Sequence, residues 1–266
     1  MIFDLQINPG VAPWPVLRDA ARAAEDAGFA ALWTIDHLQG SVMGAPDMPE
    51  CFTLLGALAA ATSTIGLGPL VVNVGNRHPG LLANAAATVQ AISGGRLLLG
   101  LGAGGGPNSF ASRERLALGI VPPSTVAERH AILEHTLDVL DEMWSPQRDE
   151  KFSTFPLPEP RPPVVLGVNG ERLARIAGRR TRGVNVRATS DKARAVITSF
   201  VDEWLQSGST GEPHATVWDF FDEALLMPDN PKVAEWKSWG VNRVILIMYE
   251  TIDVARIARA GKLLAS

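Results

Sequence analysis

Short apolar runs alternate with helix-patterned stretches along the whole chain, and this alternation restricts the fold more than any other feature. The unit at residues 64–106 shows it plainly. An apolar run at 65–74 gives way to a loop, a helical stretch at 79–92, a second apolar run at 96–101 and a glycine-rich loop. Further strands are expected at 3–7, 29–35, 164–168, 183–186, 215–221 and 243–248. Helices are expected between them, at 13–27, 50–61, 171–180, 192–205, 231–239 and 252–264, with a long one after the capping box Thr125–Glu128. Strands that each lead into a helix build a parallel sheet. Eight such units close into an α/β (β/α)8 TIM barrel, whose usual size of roughly 250 residues matches this chain of 266. A doubly wound open sheet is the alternative. A single domain over 1–266 is expected, with the proline- and charge-rich stretch 145–163 as a surface excursion.

Composition narrows the function. A hydrophobic share of 46% and a charged share of 20% suit a globular protein with a large core. The net charge of −4 and the lack of a basic cluster argue against a nucleic-acid partner. Arg179, Arg180 and Arg182 read instead as a helix end favoured by the macrodipole. The lone Cys51 cannot form an internal disulfide, which fits a reducing compartment. The first residues form an alternating strand without a basic leader, and no apolar run nears the roughly 20 residues that cross a bilayer. A cytoplasmic protein without membrane contact is expected.

Several motifs bear on chemistry. Gly100-Leu101-Gly102-Ala103-Gly104-Gly105 satisfies G-x-G-x-x-G. The dinucleotide reading requires a helix directly after the glycines and an acidic residue about 20 positions on. Pro107-Asn108-Ser109 intervenes, so a loop whose bare backbone approaches a ligand is the better reading. Asp36-His37 follows the second strand, where a barrel places its catalytic groups, and histidine exchanges protons near neutral pH. A loop-capping role for His37 is the plain alternative. Gly167-Val168-Asn169-Gly170 joins the fifth strand to a helix, whose free N–H groups attract anions. Arg77 could neutralise a phosphate or pair with an acid. No H-E-x-x-H or C-x-x-C occurs, and His130 and His135 are five apart on a helix, so no metal is expected. No serine lies in G-x-S-x-G.

Three stretches together resemble the luciferase-like monooxygenase superfamily. They are Glu25 to His37, EDAGFAALWTIDH; Arg77-His78-Pro79 with Ser93-Gly94-Gly95-Arg96 and Gly100 to Gly104; and Gly167 to Gly170 with Leu173 to Gly178 and Gly183-Val184-Asn185. In order and spacing they cover roughly residues 1 to 190. The resemblance implies a flavin-type cofactor in the barrel mouth, either FMN or its 5-deaza relative, coenzyme F420. His37 matches a histidine of the deazaflavin branch. That branch implies a non-proline cis peptide in a bulge of the third strand, near Leu70, Val71, Val72 and Asn73, behind the ring. Gly167, Val168, Asn169 and Gly170 would bind phosphate through their backbone, and Gly102, Gly104 and Asn108 would line the pocket beside ring and tail. Related sugar-phosphate dehydrogenases carry a glutamate soon after the Gly-x-Gly of the fourth strand, where this chain has Gly105-Gly106-Pro107.

The resulting expectation is a coenzyme F420-dependent oxidoreductase that moves a hydride between the deazaflavin and a small-molecule substrate. His37 would be the proton carrier, and Asp36 would orient it or bind the cofactor. An FMN-dependent monooxygenase using O2 and fed by a flavin reductase is the first alternative. A flavin-binding barrel without turnover is the second. Family habit makes a homodimer the expected assembly.

Overall fold

A computed structural model of the chain describes residues 1–265. Its parallel strands are β1 (Ile2–Ile7), β2 (Ala31–Thr34), β3 (Gly66–Pro69), β4 (Val72–Asn73), β5 (Leu99–Gly102), β6 (Val164–Gly167), β7 (Gly183–Arg187), β8 (His214–Phe220) and β9 (Arg243–Met248). Between and after them come α1 (Trp14–Ala27), α2 (Cys51–Ala61), α3 (Pro79–Ile92), α4 (Ser112–Ala117), α5 (Val126–Met143), α6 (Glu171–Arg180), α7 (Ala193–Gln206), α8 (Pro231–Ser238) and α9 (Val254–Leu264). The strands lie in the order β3-β2-β1-β9-β8-β7-β6-β5-β4. The two edges, β3 and β4, are halves of the third barrel strand. Leu67 of β3 bridges Leu97, and the Leu98 N–H donates to the Leu67 carbonyl at 2.8 Å, so the sheet returns on itself.

Two differences from the sequence expectation stand out. The apolar run 65–74 is not one strand, because a cis peptide at Leu70–Val71 separates β3 from β4. A short helix, α4, forms in the stretch before α5, where none was expected. The bunch of arginines at the end of α6 is neutralised locally: Arg179 pairs with Glu203, and Arg180 with Asp138 and Asp141. No helix among the described residues is long and apolar enough to cross a membrane.

Strand periodicity divides the core in two. Leu5, Ile7, Leu99, Leu101, Val184, Val217 and Leu246 point outward and pack under the helices with Leu17, Leu55, Leu82, Leu137 and Phe200. This shell contains most of the buried apolar surface. The barrel interior holds a smaller cluster, Ala31, Trp33, Leu70, Val165 and Ile245. Trp33 fills the lower barrel, where a Cβ on Gly68 would stand 2.9 Å from its ring. Its Nε1 donates to Asp4 at 2.8 Å, and Asp4 also pairs with Arg243 at 3.1 Å. Burial, the largest influence, pushes the Asp4 carboxyl up to about 6 against the pull of Arg243 and Trp33.

Glu25, in the last turn of α1, ties that helix to the start of β3. One of its carboxylate oxygens accepts the N–H groups of Ser63, Thr64 and Ile65 at 2.8, 2.5 and 2.9 Å. Burial raises its pKa, but these bonds outweigh it and hold the carboxyl at about 2. A pKa lowered by folding adds stability above the ordinary value of 4.5, and that stability is lost as pH falls toward 2. Glu25→Gln should therefore cost about 1–2 kcal/mol at pH 7 in urea unfolding. The gap to the parent should close as the pH is lowered through this window.

Candidate active site

A cavity of about 880 Å³ opens at the carboxyl ends of the strands. Leu70 and Val71, on either side of the cis bond, form part of its wall with Gln6 and Ile35. Gln6 Nε2 donates to the Leu70 carbonyl at 3.0 Å, while its Oε1 is buried with no partner. The loops after β5 and β6 supply Gly102, Gly104, Gly105, Gly167, Val168, Asn169 and Gly170, and the ends of β7, β8 and β9 close the opposite side.

The glycines have a packing role that the motif did not reveal. A Cβ on Gly102 would lie 2.6 Å from Val71 Cγ2, and one on Gly167 would lie 2.8 Å from Val71 Cγ1. Both strands are bare at these points because the Val71 side chain occupies the space above them. Gly102→Ala should destabilise by about 1–3 kcal/mol through overpacking. Adding Val71→Ala removes the obstructing methyls, so the double variant should recover about 1 kcal/mol relative to the sum of the singles. Equilibrium unfolding of the four proteins reads this coupling, and strict additivity would refute it.

Three residues expected at the cofactor lie off the cavity wall. Val72 turns outward into the shell under the helices. Asn73 accepts the Gly75 N–H at 3.1 Å and caps a short helical turn. Asn108 lies in the turn ahead of α4 and does not reach the wall. Asp36 and His37, neighbours in sequence, take separate partners. Asp36 receives both ends of the Arg77 guanidinium at 2.7 and 2.6 Å, and Arg77 reaches Glu50 at 2.7 Å. Of the two roles open to Arg77, the pairing with an acid is the one observed. Burial pushes the Asp36 carboxyl upward, partly offset by Arg77.

His37 is held by Glu114 instead. Its Nδ1 lies 3.0 Å from Glu114 Oε1, and Glu114 also accepts the N–H groups of Leu38 and Gln39 at 2.7 and 3.3 Å. Burial raises the Glu114 pKa, but His37 and these N–H groups bring it below the usual carboxylate range, so Glu114 is ionised at neutral pH. Neither Asp36 nor His37 lines the cavity; His37 follows Ile35, which does, by two residues, and a quarter of its side chain is exposed. Glu114 is 77 residues away in sequence and lies in the unexpected α4, so no local pattern could have paired them.

The cavity also carries unpaired cations. Arg129, Arg172, Arg187 and Lys192 line it, and none has a carboxylate partner among the described residues. No side chain caps the start of α6 at Gly170, leaving its first N–H groups available beside Arg172. His130 lines the cavity too, its Nδ1 buried without a partner. Burial first, then Arg172 and Arg129, lower its pKa and keep it neutral. In sequence Arg129 and Arg172 look like ordinary helix-surface charges, and Arg187 and Lys192 like charges at a strand end and ahead of a helix; only the barrel brings α5, α6 and the end of β7 to one cavity. No cluster of side chains suited to a metal occurs among the described residues.

Comparison with known proteins agrees with this architecture. The chain is 31% identical over 202 residues to an F420-dependent glucose-6-phosphate dehydrogenase of Nakamurella multipartita, covering 72% of this chain and 57% of that one. A second enzyme so named, from Microbacterium testaceum, is 30% identical, with 51% of its length matched, so the chain spans a little over half the length of these relatives. Among solved structures, an F420-dependent secondary alcohol dehydrogenase in complex with an F420-acetone adduct superposes with a TM-score of 0.79 at 16% identity, over 100% of this chain and 99% of the other. At that identity the likeness concerns the fold. The sequence profile of the luciferase-like monooxygenases matches residues 3–216, from the first strand to the eighth. With four-fifths of its length matched and the barrel intact, the chain belongs to the luciferase-like monooxygenase family.

Proposed function

We propose that the chain is a coenzyme F420-dependent oxidoreductase acting by hydride transfer on a small organic substrate. One observation carries the reading: an apolar wall at Leu70 and Val71 shares a cavity with the unpaired cations Arg129, Arg172 and Lys192. A fused-ring head with an anionic tail needs both features. The residues fit such a group. The buried Gln6 Oε1 has no protein partner, and the uncapped start of α6 offers N–H groups to a phosphate. Three free cations suit a phosphodiester tail that continues into carboxylates better than a single terminal phosphate. The names of the relatives support the same cofactor.

Coenzyme F420, when bound, supplies a two-electron carrier that gives or takes a hydride. The chain's own groups do the rest. Leu70 and Val71 would back the ring; in the loop Gly167, Val168, Asn169 and Gly170 the Val168 N–H is already given to the Asn185 carbonyl at 2.9 Å, so the N–H groups of Asn169 and Gly170 would meet the phosphate. His37 donates its Nδ1 proton to Glu114 and presents Nε2 for the proton that leaves or joins the substrate oxygen. Asp36 acts at one remove, by fixing Arg77 and the backbone at Asn73. The proposal extends to a cytoplasmic homodimer, which light scattering of the purified protein and cell fractionation would check.

Absorbance titration of the purified chain with each cofactor tests the reading. Micromolar binding of coenzyme F420, with FMN at least about tenfold weaker, is the expected result. Tight FMN binding without F420 binding, together with oxygen uptake coupled to hydroxylation, would establish the monooxygenase in its place. A tightly held cofactor that no donor ever reduces would make the barrel a binding protein.

A further inference from the structure

The wall opposite Leu70 and Val71 differs from the rest of the cavity. β8 is a seven-residue strand whose inward positions end in Trp218 and Phe220. Phe220 packs edge-on against Trp218, ring centroids 6.1 Å apart at 87°, and Tyr249 packs edge-on against Phe220 at 6.5 Å and 80°. Two of these rings keep a large open surface: Phe220 is 49% exposed and Tyr249 36%. A contiguous apolar surface left open inside a cavity marks a ligand contact.

One cation belongs to this wall. Arg187 is the register partner of Trp218, and its guanidinium lies 5.1 Å from the Trp218 ring and 5.9 Å from the Phe220 ring. A cation–π contact of this kind uses none of the guanidinium N–H donors. No acceptor for them occurs among the described residues. A planar fork held beside an aromatic shelf is suited to an oxyanion attached to a flat body.

We propose that this wall takes the substrate, and that the substrate is a planar, apolar molecule bearing one anionic oxygen group. Its body stacks on Trp218, Phe220 and Tyr249, and its anion pairs with Arg187. The assignment rests on the cofactor occupying the opposite wall. It also separates this chain from its sugar-phosphate relatives. A sugar ring here would strip water from several hydroxyls and find Ile247 and aromatic faces in return, a loss that polar-lined pockets avoid.

Isothermal titration of the full chain tests the proposal, done with and without saturating coenzyme F420. The probes are 2-naphthoate, 2-naphthamide and glucose 6-phosphate. Naphthoate should bind about tenfold or more tighter than either other probe. Arg187→Gln should abolish the preference for the acid over the amide while leaving amide binding unchanged. Phe220→Ala, at an exposed position that folding does not require, should weaken acid and amide alike by about fivefold. Glucose 6-phosphate binding most tightly, an acid-to-amide ratio untouched by Arg187→Gln, or no naphthoate binding at millimolar concentration would each overturn the proposal. So would naphthoate displacing coenzyme F420, since the shelf would then belong to the cofactor. Naphthoate binding in a protein that ignores F420 would instead refute the cofactor reading and leave this one standing.

Discussion

His37→Ala is expected to lower turnover by about 10²–10⁴-fold, the range for losing a positioned general acid or base, with the cofactor dissociation constant moved less than about threefold. The imidazole is suited to this role by what holds it. Glu114 is buried, ionised and 3.0 Å from Nδ1, so it fixes the tautomer and the orientation of the ring. Glu114→Gln keeps the hydrogen bond and removes the charge, so kcat should fall while KM changes little. Because Glu114 acts through His37, the double variant should be no slower than His37→Ala alone. A purely structural Glu114 would instead give additive losses. His130 provides the contrast, being neutral and on the cavity wall. If His130→Ala loses turnover and His37→Ala keeps more than half of it, the proton carrier is His130.

How far the sequence leads depends on which face of each strand carries the information. Outward-facing Leu5, Leu99, Leu101 and Leu246 pack under helices, so their runs are apolar and the strands are easily located. β8 is the weakest pattern because its inward residues are mixed: Thr216 is a buried polar group bonded to Asn185 and the Val184 carbonyl, while Trp218 and Phe220 line a cavity. The break in the third strand leaves no mark on periodicity, since Leu70, Val71 and Val72 form an unbroken apolar run; family resemblance alone pointed there. Gly102 and Gly167 drew attention as ligand contacts, and they do line the cavity, yet their bareness is dictated by Val71. Glu114, Arg129, Arg172 and Arg187 acquire meaning only through contacts between distant segments. A charged residue on a cavity wall and one on a solvated face look the same in sequence.

The largest stability loss should come from Arg77→Ala, about 3–5 kcal/mol, the usual consequence of leaving one member of a buried ion pair alone. The Asp36 side chain has no exposed surface, and Arg77 meets it with two parallel bonds of 2.7 and 2.6 Å. Without the guanidinium, only the Asn73 N–H at 3.2 Å remains for a carboxylate already pushed upward by burial. The variant should relieve this by binding a proton. A carboxyl whose folded pKa lies above its unfolded one loses stability as pH rises, so the deficit should be largest near neutrality and shrink on acidification. Asp36→Asn added to Arg77→Ala removes the stranded charge and should restore about half of the loss at pH 7. Arg77→Lys keeps a positive charge without the fork and should fall in between. Urea unfolding at pH 5 and pH 7 measures all four. A deficit below about 1 kcal/mol at pH 7, the level of a surface pair, would mean that Arg77 does not hold the Asp36 end of β2 against the start of α2 and the backbone at Asn73.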